Sequence, residues 1–272
     1  MALPAGALTG IDKSAVASRF NRSAGTYDEH CRVQRLMAGR LAARLETMSE
    51  PTRILELGCG TGFLTRLLAA RFPRAGIQAV DFAARMVDLA GQRVPSRVDL
   101  RVADAETAEF PRAGFDLIVS NAAVQWFDSP GETLARLAGC LRPGGMMVHS
   151  TFGPGTFTEL RMVLGKAGAQ GAGLPLRSAG EWAALLEGCG LCRVAGSARR
   201  EVVRYPGAAG FLTELHSTGA TWRPYGGESA PLGPGQLRRV LDRYDAELGT
   251  PEGVPVTYEL VEISGHRPGR ST

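Results

Sequence analysis

No run among the 272 residues approaches the ~18 consecutive apolar positions of a membrane-spanning helix, so no membrane partner is expected. The opening residues, Met1-Ala2-Leu3-Pro4-Ala5-Gly6, carry no positive region ahead of an apolar stretch. That argues against a signal peptide and leaves the cytoplasm as the expected compartment. Cysteine is sparse and irregularly placed, at Cys31, Cys59, Cys140, Cys189 and Cys192, which excludes a disulfide scaffold. Cys189-Gly-Leu-Cys192 is a C-x-x-C, but no second pair completes a zinc site, so core packing is the expected reading and no metal is expected. Histidine is scarcer still, at four residues, and no repeat or low-complexity domain is present. The charge excess is modest: 31 basic against 27 acidic residues give +4, with a sequence pI near 9.0. Its basic runs are short, Arg199-Arg200 with Arg204 and Arg238-Arg239 with Arg243, and no aromatics interleave them. RNA or DNA is therefore not an expected partner. An acidic protein would suit Arg199, Arg200 and Arg204, although a solvated face is the commoner use of such charges.

What is present is enough apolar material, 44% of the residues, for one domain with a substantial core. From Arg53 onward short apolar runs alternate with helical patterns. Strands are expected at 53–57, 76–80, 98–103, 115–120 and 146–151, and helices at 62–71, 84–93 and 131–141. Such alternation implies a mostly parallel sheet with helices on both faces, because parallel strands need crossover connections. Pro143-Gly144-Gly145 reads as a turn between a helix and the next strand. Ahead of this region, residues 14–48 are helical around Tyr27-Asp28-Glu29-His30. Beyond it, helices are expected at 157–164, 178–188, 206–217 and 237–248, and strands at 193–205 and 254–264. Ser178 and Glu181 form a capping-box start. The Gly- and Pro-rich stretch 224–235 reads as a loop. Three regions follow: residues 1–50 as an N-terminal helical lid, 51–152 as the ligand-binding core, and 153–272 as helices and two last strands that complete the same domain.

The densest chemistry lies in Ile54-Leu55-Glu56-Leu57-Gly58-Cys59-Gly60-Thr61-Gly62. An apolar strand ends in a glycine-spaced turn that opens a helix, with glycines where a ligand must approach the backbone. The glycines miss the third position of the dinucleotide fingerprint. Glu56 also disfavours a pyrophosphate, since a carboxylate there would repel it; a cationic ligand bearing an amino acid fits better. Ligands of parallel sheets bind at the carboxyl ends of the strands, and the next three strand ends carry Asp81, then Asp104-Ala105-Glu106, then Asn121. An acid at Asp81 is placed to accept ribose hydroxyls. Each residue alone has a plainer use: Asp81 or Asp104 as a helix cap or turn former, Met86 and Cys59 as packing residues. Together they describe one nucleoside-type site.

This set of motifs resembles motif I and the following strand ends of the class I S-adenosylmethionine (SAM) methyltransferases, over about residues 53–151. The resemblance implies the Rossmann-like fold of that class and SAM as cofactor. It implies Glu56, Gly58, Gly60 and Gly62 beside the methionine part, Asp81 on the ribose, Asp104 and Ala105 at the adenine edge, and Met86 and Asn121 in the same site.

A narrower resemblance extends into the C-terminal third. Phe20-Asn21-Arg22-Ser23-Ala24-Gly25-Thr26-Tyr27-Asp28-Glu29-His30 with Val33-Gln34, then Ser120–Phe127, Ser150-Thr151-Phe152-Gly153 with Phe157-Thr158-Glu159-Leu160, and Leu215–Ala220 are similar to the malonyl-[acyl-carrier-protein] O-methyltransferases of biotin synthesis. That implies methylation of the free carboxylate of a malonyl thioester, with acyl-carrier protein or coenzyme A as the acyl carrier. A carboxylate is ionised at neutral pH and needs no general base, so no catalytic triad is expected and the work left to the chain is positioning and water exclusion. The resemblance implies Tyr27, on the lid, and Trp126, just past the fourth strand, as walls of the reactive centre, and Gln34 at the amino-acid end of the cofactor. Arg22, His216 and Arg223 are candidate partners of the malonyl carboxylate. Two other functions stay open at this point: SAM-dependent methylation of another small carboxylic acid or a quinone precursor, and SAM binding for regulation without turnover. An RNA-methylating enzyme is less suited, because Asn121-Ala122-Ala123-Val124 lacks an Asn-Pro-Pro-aromatic pattern.

Overall fold

The apolar runs between glycines become the centre of one seven-stranded sheet. We describe it from a computed structural model that covers residues 11–167, 175–219 and 232–269. The strands are β1 (Arg53–Leu57), β2 (Gly76–Asp81), β3 (Asp99–Val102), β4 (Phe115–Asn121), β5 (Leu141–Phe152), β6 (Cys192–Tyr205) and β7 (Val254–His266). Their order across the sheet is β3-β2-β1-β4-β5-β7-β6. β1 to β5 run parallel, and β7 inserts antiparallel between β5 and β6. Strand order reverses between β1 and β4, so a crevice opens above their carboxyl ends.

The helices are α1 (Lys13–Ser23), α2 (Tyr27–His30), α3 (Arg32–Arg44), α4 (Phe63–Arg71), α5 (Ala84–Gly91), α6 (Pro130–Cys140), α7 (Thr158–Lys166), α8 (Ala179–Gly188), α9 (Ala208–Ser217) and α10 (Pro234–Leu248). Successive strand residues point to opposite faces, and both faces here are apolar. Ile54, Ile77, Leu117 and Val148 pack with Leu41 of α3 and Leu64 and Leu68 of α4. Leu55, Leu57, Ile118 and Met147 pack on the other face with Leu134 and Leu137 of α6 and Trp182 and Leu186 of α8. Burial on both faces is what a parallel sheet requires. The outer halves of β6 and β7 carry a third apolar cluster with α7, α9 and α10.

The class I methyltransferase fold expected from the sequence is the fold observed. Ser178 caps α8 with Glu181 in the reciprocal arrangement of a capping box. Among the boundaries that shift, three bear on the reading of the turns. β5 begins at Leu141 rather than 146, and its register against β4 jumps from Phe115↔Leu141 to Leu117↔Met146. Pro143-Gly144-Gly145 is therefore a bulge inside a strand, secured where Gly144 N–H donates to the Arg267 carbonyl (3.0 Å) and Arg267 N–H to Gly145 (2.8 Å). α9 starts at Ala208, after Pro206. α10 starts at Pro234, which suits the first helical position, so the last residues of the expected 224–235 loop are helical; residues 224–231 lie outside the described residues. No described helix is long and apolar enough to cross a membrane.

Candidate active site

From Leu57 the chain turns directly through the glycine segment into α4. Gly58, Gly60 and Gly62 all have positive φ, at 71°, 52° and 83°, a region open to glycine at no steric cost. A Cβ on Gly58 would collide with Ala123 in the loop after β4, and one on Gly62 would meet Val94 at 2.8 Å. At Gly60 nothing lies within 4 Å of that position, so its backbone is free for a ligand to approach. Gly58 and Cys59 N–H donate to the Val80 carbonyl at 2.8 and 3.0 Å, which ties the turn to β2.

Asp81, ending β2, reaches back to this turn. Its Oδ2 accepts from Gly60 N–H at 2.9 Å and its Oδ1 from Ala83 N–H at 2.8 Å. An ionised carboxylate offers about four acceptor positions, so room remains for a pair of ribose hydroxyls. Burial raises the Asp81 pKa, with the two N–H groups opposing. Glu56 is 1% exposed and its Oε2 has no hydrogen-bond partner among the described residues. Burial pushes its pKa up to about 8, with Thr65 opposing and the Asp81 charge adding. A cation arriving nearby would favour its ionised form. An open glycine backbone, spare acceptors on Asp81 and an unfilled buried carboxyl fit a cationic nucleoside bearing an amino acid.

Helices α1 and α2 and the first turn of α3 are joined to the carboxyl ends of the strands by a series of ties. Asp28 accepts from Thr61 Oγ1 at 2.6 Å and pairs with Arg93 at 2.5 Å. Asn21 Oδ1 accepts from Arg85 N–H at 2.9 Å, capping α5 from the lid. Lys13 pairs with Asp104 at 2.6 Å and also with Glu106. Asn121 Nδ2 donates to the Gln34 carbonyl at 3.0 Å, while its Oδ1 accepts from Ser150 at 2.6 Å. Phe20 is the aromatic centre, edge-on to Tyr27, Phe82 and Trp126 at 6.3, 6.1 and 5.8 Å between centroids. Burial raises the Tyr27 pKa, with Cys31 and Asp81 adding.

The expected residues therefore separate into groups. Tyr27 and Met86 pack together with Ala24 and Ala83 beneath the lid, and Trp126 packs with Ile11 and Val16 of the same lid. Gln34 and Asn121 meet through the Gln34 backbone. Asp104 is engaged by Lys13 and by Glu106 N–H (2.9 Å). Ala105 is buried in the core beside α6, and its carbonyl accepts from Arg136. Arg22 is exposed in the last turn of α1. His216 is exposed; its Nδ1 meets the Leu212 carbonyl of its own helix at 2.8 Å, and its carbonyl accepts from Ser23 Oγ of α1 at 3.5 Å. Arg223 lies outside the described residues. Sequence reasoning missed Lys13, Phe20, Asp28 and Thr61 as site-forming groups; Phe20 and Asp28 sat in the quoted N-terminal block, but their partners are distant in the chain.

Past the end of β5 the chain builds a further aromatic wall. Phe157 lies 5.1 Å from Tyr258 and 5.2 Å from Phe211, and Phe152 lies 6.0 Å from Tyr258. Ala122 packs against this wall. Ala122 and Phe157 both hold positive φ, at 51° and 61°, a conformation that costs a non-glycine residue on the order of 1 kcal/mol or more. Strained backbone thus occurs within the wall, at Phe157, and beside it, at Ala122. Among the described residues no group of three or more His, Cys, Asp or Glu is placed to hold a metal ion.

Comparison with known proteins agrees with this geometry. Residues 54–145 match the family model described as a methyltransferase domain. The chain is 34% identical to the malonyl-[acyl-carrier protein] O-methyltransferase of Halalkalibacterium halodurans, over 93% of this chain and 98% of that one. In fold it is similar to the YcgJ protein of Bacillus subtilis (TM-score 0.60, 16% identity, 85% of this chain and 98% of that chain). It is also similar to phosphoethanolamine N-methyltransferase 2 of Haemonchus contortus in complex with S-adenosyl-L-methionine (TM-score 0.54, 17% identity, 85% and 52%). At this identity over nearly the whole of both chains, the chain belongs to the malonyl-[acyl-carrier protein] O-methyltransferase family.

Proposed function

We propose that this protein transfers a methyl group from SAM to the free carboxylate of a malonyl thioester on acyl-carrier protein, making the methyl ester that primes pimeloyl assembly for biotin. Kinship over 93% of the chain, reaching through the substrate-side helices, carries this reading. In it, Gly58, Gly60, Gly62, Glu56 and Asp81 hold the cofactor with Asn121 and Gln34, and Asp104 lies at the adenine edge. SAM supplies the electrophile, a methyl group on positively charged sulfur. The malonyl carboxylate attacks in line, forming the C–O bond as the S–C bond breaks, and no proton has to move.

The chain's own contribution is then geometric. The lid helices exclude water, which would otherwise solvate the nucleophile. Tyr27 and Trp126, linked through Phe20, hold the lid side, and Phe152, Phe157 and Tyr258 hold the acyl side. Orientation of this kind supplies a large share of the barrier lowering in displacement reactions. The ester product is neutral, so an apolar acyl channel in a later enzyme accepts it without burying a charge.

The gene's ability to restore growth of a biotin auxotroph lacking this step tests the reading. Growth without biotin is expected; growth only when biotin is added, with the protein present and folded, would reject it.

A further inference from the structure

The edge of the sheet carries a basic stretch level with the acceptor end of the site. β6 is the last strand in the sheet order and pairs only with β7. Along its outer half Val203 and Tyr205 turn inward to the cluster with α9 and α10. The alternate positions Ala198, Arg200, Val202 and Arg204 are exposed, Val202 by 53%, and Arg199, on the opposite face of the same edge strand, is exposed too. Arg199 and Arg200 make no ion pair among the described residues, whereas Arg204 is paired with Glu252 at 3.3 Å. Two acids lie near and do not cancel the patch. Glu201 is half-buried and, although it shares its strand face with Arg199 and Val203, it pairs with neither arginine among the described residues. Glu259, opposite Arg200 in the ladder, turns to the Gly153–Gly155 loop and accepts from Gly155 N–H at 2.5 Å.

The register fixes how far this patch lies from the reaction. Phe152 pairs with Leu260, and Leu260 pairs with Arg199. Strands are spaced about 4.8 Å apart, so Arg199 stands about 10 Å from Phe152 across the sheet. A partner that engages both must hold its acyl group on an extended arm and present an acidic surface behind it. Exposed Val202 between two arginines, without aromatics, suits a protein surface rather than nucleic acid.

We propose that the β6 edge at Arg199, Arg200 and Val202 docks the acidic surface of the carrier protein that presents the malonyl thioester, an assignment that rests on the function proposed above. Charges at the rim of such an interface act mainly on association rate and its salt dependence. Charged side chains on an edge strand have a second use, blocking edge-to-edge pairing, and the test separates the two.

Arg199→Glu/Arg200→Glu is compared with wild type on two substrates, malonyl-carrier protein and malonyl-pantetheine, which has no protein surface. We expect kcat/KM for the carrier to fall tenfold or more through KM, with a weaker salt dependence, and kcat/KM for malonyl-pantetheine to stay within twofold. Arg199→Gln/Arg200→Gln should fall part of the way. Equal effects on both substrates, or no effect on the carrier, overturn the docking assignment; an oligomeric variant with unchanged carrier kinetics shows edge protection instead and overturns it too. Wild type that methylates neither substrate rejects the proposed function, and the docking site with it.

Discussion

Asp28 on the lid accepts a 2.6 Å hydrogen bond from Thr61 inside the glycine turn, so the segment covering the crevice is fastened to the segment that forms its floor. The other carboxylate oxygen is held by Arg93 at 2.5 Å. Closure and cofactor geometry are therefore coupled through one side chain. Thr61→Val removes the tie and leaves the Asp28–Arg93 pair. A hydrogen bond to a charged group contributes about 1.5–3 kcal/mol, so SAM affinity by calorimetry should weaken about tenfold. Hydrogen exchange should also rise selectively in residues 13–31. Unchanged affinity and exchange would show that Asp28 and Thr61 do not couple lid and turn.

Asp81 sits between the turn and α5 with two acceptor positions occupied by backbone N–H groups. Asp81→Asn should reduce SAM affinity about tenfold or more, since one charged acceptor is lost and an amide donor is aimed at the Gly60 or Ala83 N–H. A calorimetric affinity equal to wild type would contradict the ribose role.

Tyr27 packs with Phe20, Ala83 and Met86 under the lid. Tyr27→Ala should lower methyl transfer by about a hundredfold, a scale on which small misplacements of reacting groups act. The melting temperature should move far less. Full turnover in that variant would remove Tyr27 from the reactive centre.

Two buried titratable groups give the free protein a two-sided pH dependence. Glu56 has its pKa pushed up to about 8 by burial, so the unfolded chain releases this proton first. Stability then falls as pH rises from the ordinary carboxylate range toward 8. His149 is 1% exposed, packs edge-on to Trp182 at 4.9 Å, and has neither ring nitrogen hydrogen-bonded among the described residues. Burial lowers its pKa from 6.5 to about 4. The unfolded chain therefore takes up its proton first, and stability falls as pH drops from 6.5 toward 4, by on the order of 3 kcal/mol. Denaturant titrations separate the two. Glu56→Gln should abolish the loss between pH 6.5 and 8, and adding His149→Leu should flatten the remaining loss below 6.5. A slope above pH 6.5 that survives Glu56→Gln would show that Glu56 does not carry it.

Local pattern made much of the fold legible. β1 is an apolar run bounded by an arginine and a glycine turn, and its observed limits, Arg53–Leu57, are those its composition implies. The start of α8 followed from Ser178 and Glu181, whose cap is made within one turn. Pro143-Gly144-Gly145 misled because proline and glycine mark a bulge as readily as a turn, and only pairing to Arg267 distinguishes them. Asp81 and Asn121 were legible as strand-end residues, and they close β2 and β4. Lys13 on Asp104 and Asp28 on Thr61 were not, since those pairs are 91 and 33 residues apart and no local periodicity records them. The contact between the His216 carbonyl and Ser23 was not legible either, since those residues are 193 apart.

Transfer of isotope-labelled methyl from SAM to malonyl-carrier protein tests the central claim most directly. We expect label on the distal carboxyl of the malonyl group as a base-labile methyl ester, with succinyl-carrier and free malonate turned over far more slowly. A folded, SAM-binding protein that leaves malonyl-carrier unlabelled while methylating a free acid would contradict it.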